Sequence, residues 1–498
     1  MSKVVIIGSG LGGLSCGYIL QKEGFDVTVL EQGAQIGGCL QCFFRGGVKF
    51  ETGMHFIGSA AAGQTMYRMM HFLGLTDKVR LSALDTAGYD TIALAGERFR
   101  FPNGWEAFVE QMAGYFPKEK DNLRRYASLV QRIALASSPE SLTSAQRDLA
   151  ASTEYQTRSI NEVLEELFSD ELLRNVLVGN LPLYAAERDK TPFSQHAFIM
   201  DSYNQSAFRV VGGSDVIAQS LASSIQEMGG EVLAGKKVYR ILCDATKAIG
   251  VETADECFYP ADYVISTIHP ARLMDLLDTK LIRPAFRSRM MNIPNTTGCF
   301  SLYVKFKEGA MPYMNTNLYG YQGATSWDCE HYTEANWPKC FLYMHHCHED
   351  APRFARCGVV FAYMNMEDVA KWKGTKVGHR GADYEDFKRR HAERLIQEVG
   401  KHQPGFASAI ESYYTSTPLT YLDYTGTEGG SMYGVAKDIS LGPAGRVPYK
   451  TKVPNLLLAG QNVNSHGMMG VLVGTIVTTD EIKLNAGFTS LHRNNFEF

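Results

Sequence analysis

Residues 3–31, KVVIIGSGLGGLSCGYILQKEGFDVTVLE, decide the fold. Val4 to Ile7 are an apolar run of the kind that forms a buried strand. Gly8, Gly10 and Gly13 follow directly as GxGxxG. In that motif the first glycine permits a tight turn, the second lets backbone approach a pyrophosphate, and the third lets the helix pack close to the sheet. Gly13 is taken as the point where the helix opens, presenting free N–H groups and a positive dipole end to the phosphates. Asp26–Leu30 reads as a second strand that ends at Glu31, about 20 residues past the glycines. A carboxylate there accepts hydrogen bonds from ribose hydroxyls and repels a 2′-phosphate. Strand, glycines, helix, strand and acid in that order predict an α/β, Rossmann-type unit binding FAD or NAD rather than NADP.

Working outward, 498 residues exceed a single core, so about two or three domains are expected. Hydrophobic content of 45% and charged content of 20% describe an ordinary globular chain and not a disordered one. A net charge of −4 with no long basic run argues against a nucleic-acid partner. A strand beginning at residue 3 leaves no room for a secretory leader, and the 10 cysteines are then expected as thiols. No run of about 18 apolar residues suggests a membrane span. The expected location is the cytoplasm, with peripheral contact at a membrane surface left open.

The residues after Glu31 choose between the dinucleotides. Gln32-Gly33-Ala34-Gln35-Ile36-Gly37-Gly38-Cys39 resembles the FAD-binding fingerprint of the amine-oxidase and phytoene-desaturase class of flavoproteins. There the paired glycine lets a loop pass close to the flavin pyrophosphate. The resemblance implies FAD, with Gly8, Gly10, Leu11, Gly12, Gly13, Glu31, Gln32, Gly37, Gly38 and Cys39 around it. Residues 455–476, NLLLAGQNVNSHGMMGVLVGTI, read as a strand at Leu456–Leu458, a turn at Gly460 and a helix opening near Met469. In the class this helix start faces the ribityl chain and the isoalloxazine, where its positive end stabilises charge on reduced flavin. The implied contacts are Gly460, Gln461, Asn462, Met468, Met469, Gly470 and Val471. The class pattern has Asp after the glycine; here Gln461 and Asn462 stand there, and which amide takes over is open.

Residues 209–241 read as a Gly-Gly turn, a helix with apolar Val216, Ile217, Leu221 and Ile225, and a strand ending at Val238. This resembles the class segment that brackets the adenine, and strand Tyr263–Ser266 then leads to Thr267, close to where the class returns to the cofactor. The expected FAD-binding domain is therefore discontinuous, over 1–80, 205–285 and 430–498. A mixed-sheet α+β substrate-binding domain takes 81–204 and 286–429, with 118–176 as a helical cap over the cleft or a membrane-docking face. No second GxGxxG occurs, so the electron donor, NAD(P)H or a redox protein, must use the same cleft or dock from outside.

Residues 38–58, GCLQCFFRGGVKFETGMHFIG, resemble the retinol saturase branch of this class. So do the Asp90–Phe101 strand pair followed by Pro102, YFPKE at 115–119, GSMYG at 430–434 and GQNVNSHGMMG at 460–470. The resemblance implies saturation of a C=C bond in a hydrophobic polyene or lipid-like substrate. A hydride leaves flavin N5 for one carbon, and a proton goes to the other. It places Gly53, Met54 and His55 where the chain crosses beneath the isoalloxazine. His55, His466 and one of the tyrosines are the candidate proton donors, since imidazole suits that role near neutral pH. A dry, flat slot is needed, and Phe300, Tyr303, Phe306, Tyr313, Tyr319, Tyr321 and Trp327 are available to line it or to fill a sheet core.

Cys39-x-x-Cys42 has dithiol spacing but is expected to pack, since it lies beside the pyrophosphate. The text His345-His346-Cys347-His348-Glu349-Asp350 looks metal-ligating. In a strand, however, Cys347 faces away from His346 and His348, so a polar strand end is expected and no metal. Two other functions compete: desaturation or cis–trans isomerisation of a polyene, and an FAD- or lipid-binding protein without turnover. An amine oxidase shares the fingerprint but no substrate-domain text here matches one.

Overall fold

The computed structural model describes residues 1–136, 153–349, 352–463 and 465–487. Strand Lys3–Ile7 is the middle of a five-stranded sheet ordered Glu231–Leu233, Asp26–Leu30, Lys3–Ile7, Tyr263–Ser266, Leu456–Leu458. All four pairings are parallel, with Ile7 opposite Leu30 on one side and Ser266 on the other. Three distant parts of the chain thus build one layer. Both of its faces are covered, which is why Val4 to Ile7 carry no polar alternation.

On one face, helix Leu11–Lys22 packs between helices Asp215–Glu227 and Gly467–Asn485, burying Leu14, Ile217, Leu221 and Leu472. The other face packs Val5 and Ile7 against the antiparallel sheet Val238–Cys243, Ala248–Thr253, Phe258–Pro260 and helix Pro270–Asp275. The first helix sits close because Gly13 has no side chain: a Cβ there would lie 1.9 Å from the Gly8 carbonyl oxygen. Gly8 itself has φ +99°, which the turn requires and other residues resist.

A second, seven-stranded sheet runs Ile410–Ser416, Gly298–Phe306, Cys357–Met364, Cys340–His345, Asn317–Tyr321, Asp90–Leu94, Glu97–Phe101. It is antiparallel except where Asn317–Tyr321 meets Asp90–Leu94. Strand alternation sends Phe300, Leu302 and Val304 to a core under helix Ala382–His402, and Tyr303 to the opposite core. That opposite core lies under helices Trp105–Tyr115, Lys120–Ala136, Ile160–Leu167, Glu171–Leu177 and Phe193–Gln205. The expected helical stretch 118–176 is seen in three of these; its residues 137–152 lie outside the described ones.

A small sheet of Ile57–Gly58, Ala207–Val210 and Leu81–Ala83 links the two layers. From it, buried Arg209 donates to the carbonyls of His345 (2.6 Å) and Thr316 (3.1 Å) and to Asn317 Oδ1 (3.1 Å). Three oxygens pair the two terminal nitrogens of a guanidinium that water cannot reach.

Three boundaries differ from expectation. The expected strand ending at Val238 is two strands, Glu231–Leu233 and one that begins at Val238. The main chain between them is drawn aside, Gly235 N–H to Gly33 C=O and Lys236 N–H to Glu31 C=O. The first helix starts at Leu11, not Gly13, and the last at Gly467, not near Met469. Among the described residues no helix is long and apolar enough to cross a membrane.

Gly13→Ala should therefore destabilise the chain by about 1–3 kcal/mol through overpacking, read as a lower thermal midpoint. Gly114→Ala, exposed in a helix with open space at its Cβ, should instead stabilise by about 0.4–1 kcal/mol. Equal midpoints for the two variants would contradict this packing argument.

Candidate active site

The five strands of the parallel sheet point their carboxyl ends at one cavity of about 860 Å³. Its wall contains Gly8, Gly10, Leu11, Gly12, Glu31, Gln32, Gly37, Gly38, Cys39, Gly53, Met54 and His55. From later in the chain come Val238, Thr267, Gly460, Gln461, Asn462, His466, Met468, Met469, Gly470 and Val471. Of the expected site residues only Gly13 stands back, behind the turn it lets close.

Local geometry explains the assembly. Glu31 accepts from Ser9 N–H (3.0 Å), Ser9 Oγ (2.6 Å) and Gly33 N–H (2.8 Å), which locks the carboxylate at the cavity edge. A Cβ on Gly10 would meet nothing within 4 Å, so that backbone is open to the cavity. Neither Gly10 nor His466, the cap residues of the two cavity-facing helices, caps its helix with a side chain. The first N–H groups there stay available, as helix starts without a cap leave them. Thr267 Oγ donates to the Ile7 carbonyl at 2.9 Å. Asn462 turns its amide oxygen to Val435 N–H (3.0 Å), whereas the Gln461 amide has no partner among the described residues.

Charge is unevenly distributed over the segments that line this cavity. Its charged lining residues are Glu31, Lys236, Lys237, Arg272, Asp275 and Asp423. The stretch built from residues 53–58, 183–203, 342–361, 432–433 and 461–471 lines the cavity with no Asp, Glu, Lys or Arg. His55 and His466 both lie in that uncharged stretch.

His55 Nδ1 is 3.2 Å from Glu51 Oε2, and its Nε2 has no hydrogen-bond partner among the described residues. His346 Nε2 stands 4.0 Å from the same carboxylate, and the His55 and His346 rings stack at 5.6 Å. Burial, aided by the Arg209 charge, holds the His55 pKa down at about 3, and burial lifts Glu51 to about 7. His466 Nε2 meets the Gln195 side-chain amide at 2.8 Å and its ring stacks on Tyr433 at 4.9 Å. Burial pushes the His466 pKa to about 3 as well, with Lys437 adding to the effect. Both histidines are therefore neutral at physiological pH.

Some expectations are corrected. Phe300, Tyr303, Phe306, Tyr313, Tyr319, Tyr321 and Trp327 do not line the cavity; they pack in the cores on either side of the seven-stranded sheet. The cavity's aromatics include Phe56, Tyr184, Phe198, Tyr203, Phe361 and Tyr433, of which only Phe198 and Tyr203 share an element. Helices 120–136 and 160–177 likewise stand behind the wall, which on that side is formed by Leu183, Tyr184 and helix Phe193–Gln205. The expected polar strand end at 345–348 is mostly buried: His345 and His346 are 0% and 3% exposed. His345 accepts from Met314 N–H, and His348 Nε2 meets Cys357 Sγ at 3.1 Å. Asp350 of that run lies outside the described residues. Cys39 and Cys42 are free thiols, pushed by burial to about 11 and about 12, which leaves no thiolate for exchange. Sequence patterns missed Glu51, His346, Gln195 and Tyr433, which meet the two histidines only through the fold.

Comparison with known proteins agrees with this geometry. The chain is 28% identical to all-trans-retinol 13,14-reductase of Rattus norvegicus over 96% of this chain and 85% of that protein. It is 22% identical to prolycopene isomerase 2, chloroplastic, of an Oncidium hybrid cultivar, over 96% and 84%. Among solved structures, cyclohexylamine oxidase from Brevibacterium oxydans IH-35A superposes with a TM-score of 0.60 at 15% identity, covering 98% and 99%. The family model for flavin containing amine oxidoreductases matches residues 11–474. The chain belongs to that family and is an FAD-dependent oxidoreductase.

Proposed function

We propose that this enzyme saturates a carbon–carbon double bond of a hydrophobic polyene, in the manner of the retinol reductases it resembles. The lining carries the proposal: the segments that bring His55 and His466 to the cavity, 53–58, 183–203, 342–361, 432–433 and 461–471, bring no ionised side chain with them. A flat hydrocarbon is favoured there by burial of apolar surface, and a charged amine would be desolvated without a counter-ion.

FAD, when bound, supplies the hydride. The chain's own residues do the rest. The open backbone at Gly10, with Leu11 and Gly12 at the helix start, would hold the pyrophosphate. Gly37, Gly38 and Cys39 would close over it. Glu31, with Gln32 beside it, would take the ribose, using the acceptor capacity left after its three bonds. Val238 would flank the adenine and Thr267 the turn at Gly8. Gln461, whose amide has no partner among the described residues, would hold the ribityl chain, because the Asn462 amide oxygen is spent on Val435. Gly53 and Met54 with His55 would lie under the flavin ring. The helix start at 467–471, preceded by Gly460, would support it from the other side through Met468, Met469, Gly470 and Val471. Phe361 and Tyr433 exclude water, and His55 or His466 delivers the proton.

In this reading 1–80, 205–285 and 430–498 serve FAD, and 81–204 with 286–429 serve the substrate; residues 488–498 lie outside the described part. NAD(P)H or a redox protein is the electron donor. The location in this reading is the cytoplasm, and a lipid-soluble substrate is compatible with peripheral contact at a membrane surface. Similarity to a prolycopene isomerase supports a second reading, isomerisation or desaturation on the same scaffold.

Anaerobically reduced enzyme mixed with all-trans-retinol, a carotenoid or a simple enone should reoxidise as one substrate loses a double bond. Reduced flavin that ignores all three and reacts only with oxygen would refute saturation. His55→Ala, if His55 is the donor, should slow reoxidation by about 10²–10⁴-fold, with FAD content retained. Gly10→Ala should keep the thermal midpoint of the flavin-free protein yet weaken FAD binding about tenfold, or 1.4 kcal/mol; unchanged affinity would remove Gly10 from the site.

A further inference from the structure

We propose that Glu51 and His55 work as one proton-donating pair, Glu51 storing the proton and His55 handing it through Nε2 into the cavity. The inference rests on the saturation reading above.

The pair is built in. Strand Val48–Glu51 pairs with Cys42–Arg45 and ends with the Glu51 carboxyl buried at 3% exposure. Four residues on, His55 is 5% exposed and turns Nδ1 to that carboxyl at 3.2 Å. The two ring nitrogens therefore have different environments. Nδ1 meets the carboxyl, while Nε2 is buried, without a partner among the described residues, on a side chain that lines the cavity.

Burial, with the Arg209 charge adding to it, rules out the simplest donor. With its pKa held near 3, the His55 ring is not an imidazolium at any physiological pH. A neutral ring can give up its Nε2 proton only if Nδ1 receives one in the same step. Protonated Glu51 supplies it. The Nε2–H bond breaks as a C–H bond forms on the substrate carbon, using the electron pair of the double bond being saturated. The Glu51 O–H bond breaks as Nδ1–H forms. The ring starts and ends neutral, as opposite tautomers, and Glu51 ends as the carboxylate. The other carbon takes the hydride from the reduced cofactor, so one double bond consumes one hydride and one proton.

Groups around the pair leave Glu51 as the one that titrates near neutrality. His346, 4.0 Å from the carboxylate and too far for a hydrogen bond, is held near 3, and His348 near 4, both first by burial. Cys42 is pushed to about 12 and Cys357 still higher. Asp215 is bound to Lys49 at 2.6 Å, and Arg209 gives its terminal nitrogens to three oxygens. Glu51 is raised to about 7, by burial first, against the lowering effect of His346 and Arg209. The sign follows. Below about 7 the carboxyl is protonated, Nε2 carries hydrogen and the pair donates. As pH rises through that value Glu51 loses its proton, the carboxylate accepts a hydrogen bond from Nδ1–H, Nε2 becomes an acceptor, and the pair suits the reverse, proton-removing direction.

The test is ¹⁵N NMR of histidine-labelled, FAD-loaded protein, run beside the saturation assay on wild type, Glu51→Gln and His55→Ala. His55 in the wild type should stay neutral and change from the Nε2–H to the Nδ1–H tautomer as pH rises through about 7. In Glu51→Gln the tautomer should not respond to pH. That variant should keep its FAD and its affinity for retinol, yet lose saturation about a hundredfold at every pH. A wild-type tautomer that does not move between acid and alkaline pH overturns the pair. So does a tightly held metal ion on Glu51 and His55 in the purified protein. Full turnover in Glu51→Gln beside a dead His55→Ala would overturn the pair but keep the saturation reading. A wild type that saturates no polyene would defeat that reading, and the donor role with it, even where the tautomer titrates.

Discussion

The approach of helix Leu11–Lys22 to strand Lys3–Ile7, made at Gly13 over the Gly8 carbonyl, is the constraint on which the rest depends. It brings an uncapped helix start to the end of the central strand. It also sets the neighbours: Gly12 lies so close to Gly460 that a Cβ would be 2.9 Å from its Cα. Helix Gly467–Asn485 can then pack along the first helix, and its own uncapped start opens on the same cavity. Two helix dipoles and the carboxyl ends of parallel strands converge on one volume. That convergence is the physical reason a flavin dinucleotide suits this fold.

The second constraint is dielectric. The segments that carry His55 and His466 bring no ionised side chain to the cavity wall. A buried histidine in such surroundings loses its charge, because desolvation penalises the cation more than any neighbour here favours it. The same burial makes a carboxyl hold its proton, as at Glu51. Acid–base work in this cavity must then run between neutral partners. Arg209 adds to this effect from behind: its cation is fixed on His345, Thr316 and Asn317 and disfavours any second positive charge nearby.

Most of the cavity was legible in the sequence because its residues sit in contiguous motifs whose spacing is dictated by backbone. GxGxxG, the acid at 31, the paired glycine at 37–38 and the 460–471 stretch each report a local geometry, and each reached the cavity wall. The aromatic lining was not legible. Phe300 and Tyr303 sit in a strand whose alternation serves two cores, whereas Phe56, Phe198 and Phe361 come one at a time from unrelated elements. No period marks such residues. Glu51 and His346 were hidden for the same reason. Spacing of four suggests contact in a helix, but 51–55 is a strand end and loop. His346 arrives only through the pairing of Cys340–His345 with Cys357–Met364. The break before Val238 was missed because hydrogen bonds to Glu31 and Gly33, in the N-terminal part of the chain, outweigh local strand preference.

The central claim is that one cavity holds FAD from Val238 to His55, and a crystal structure of the FAD-loaded protein tests it most directly. The account predicts adenine beside Val238, pyrophosphate on the backbone of Gly10 to Gly12, and the isoalloxazine between His55 and the helix start at 467–471. A nucleotide seated at the 467–471 end, or a flavin ring remote from His55, would contradict it.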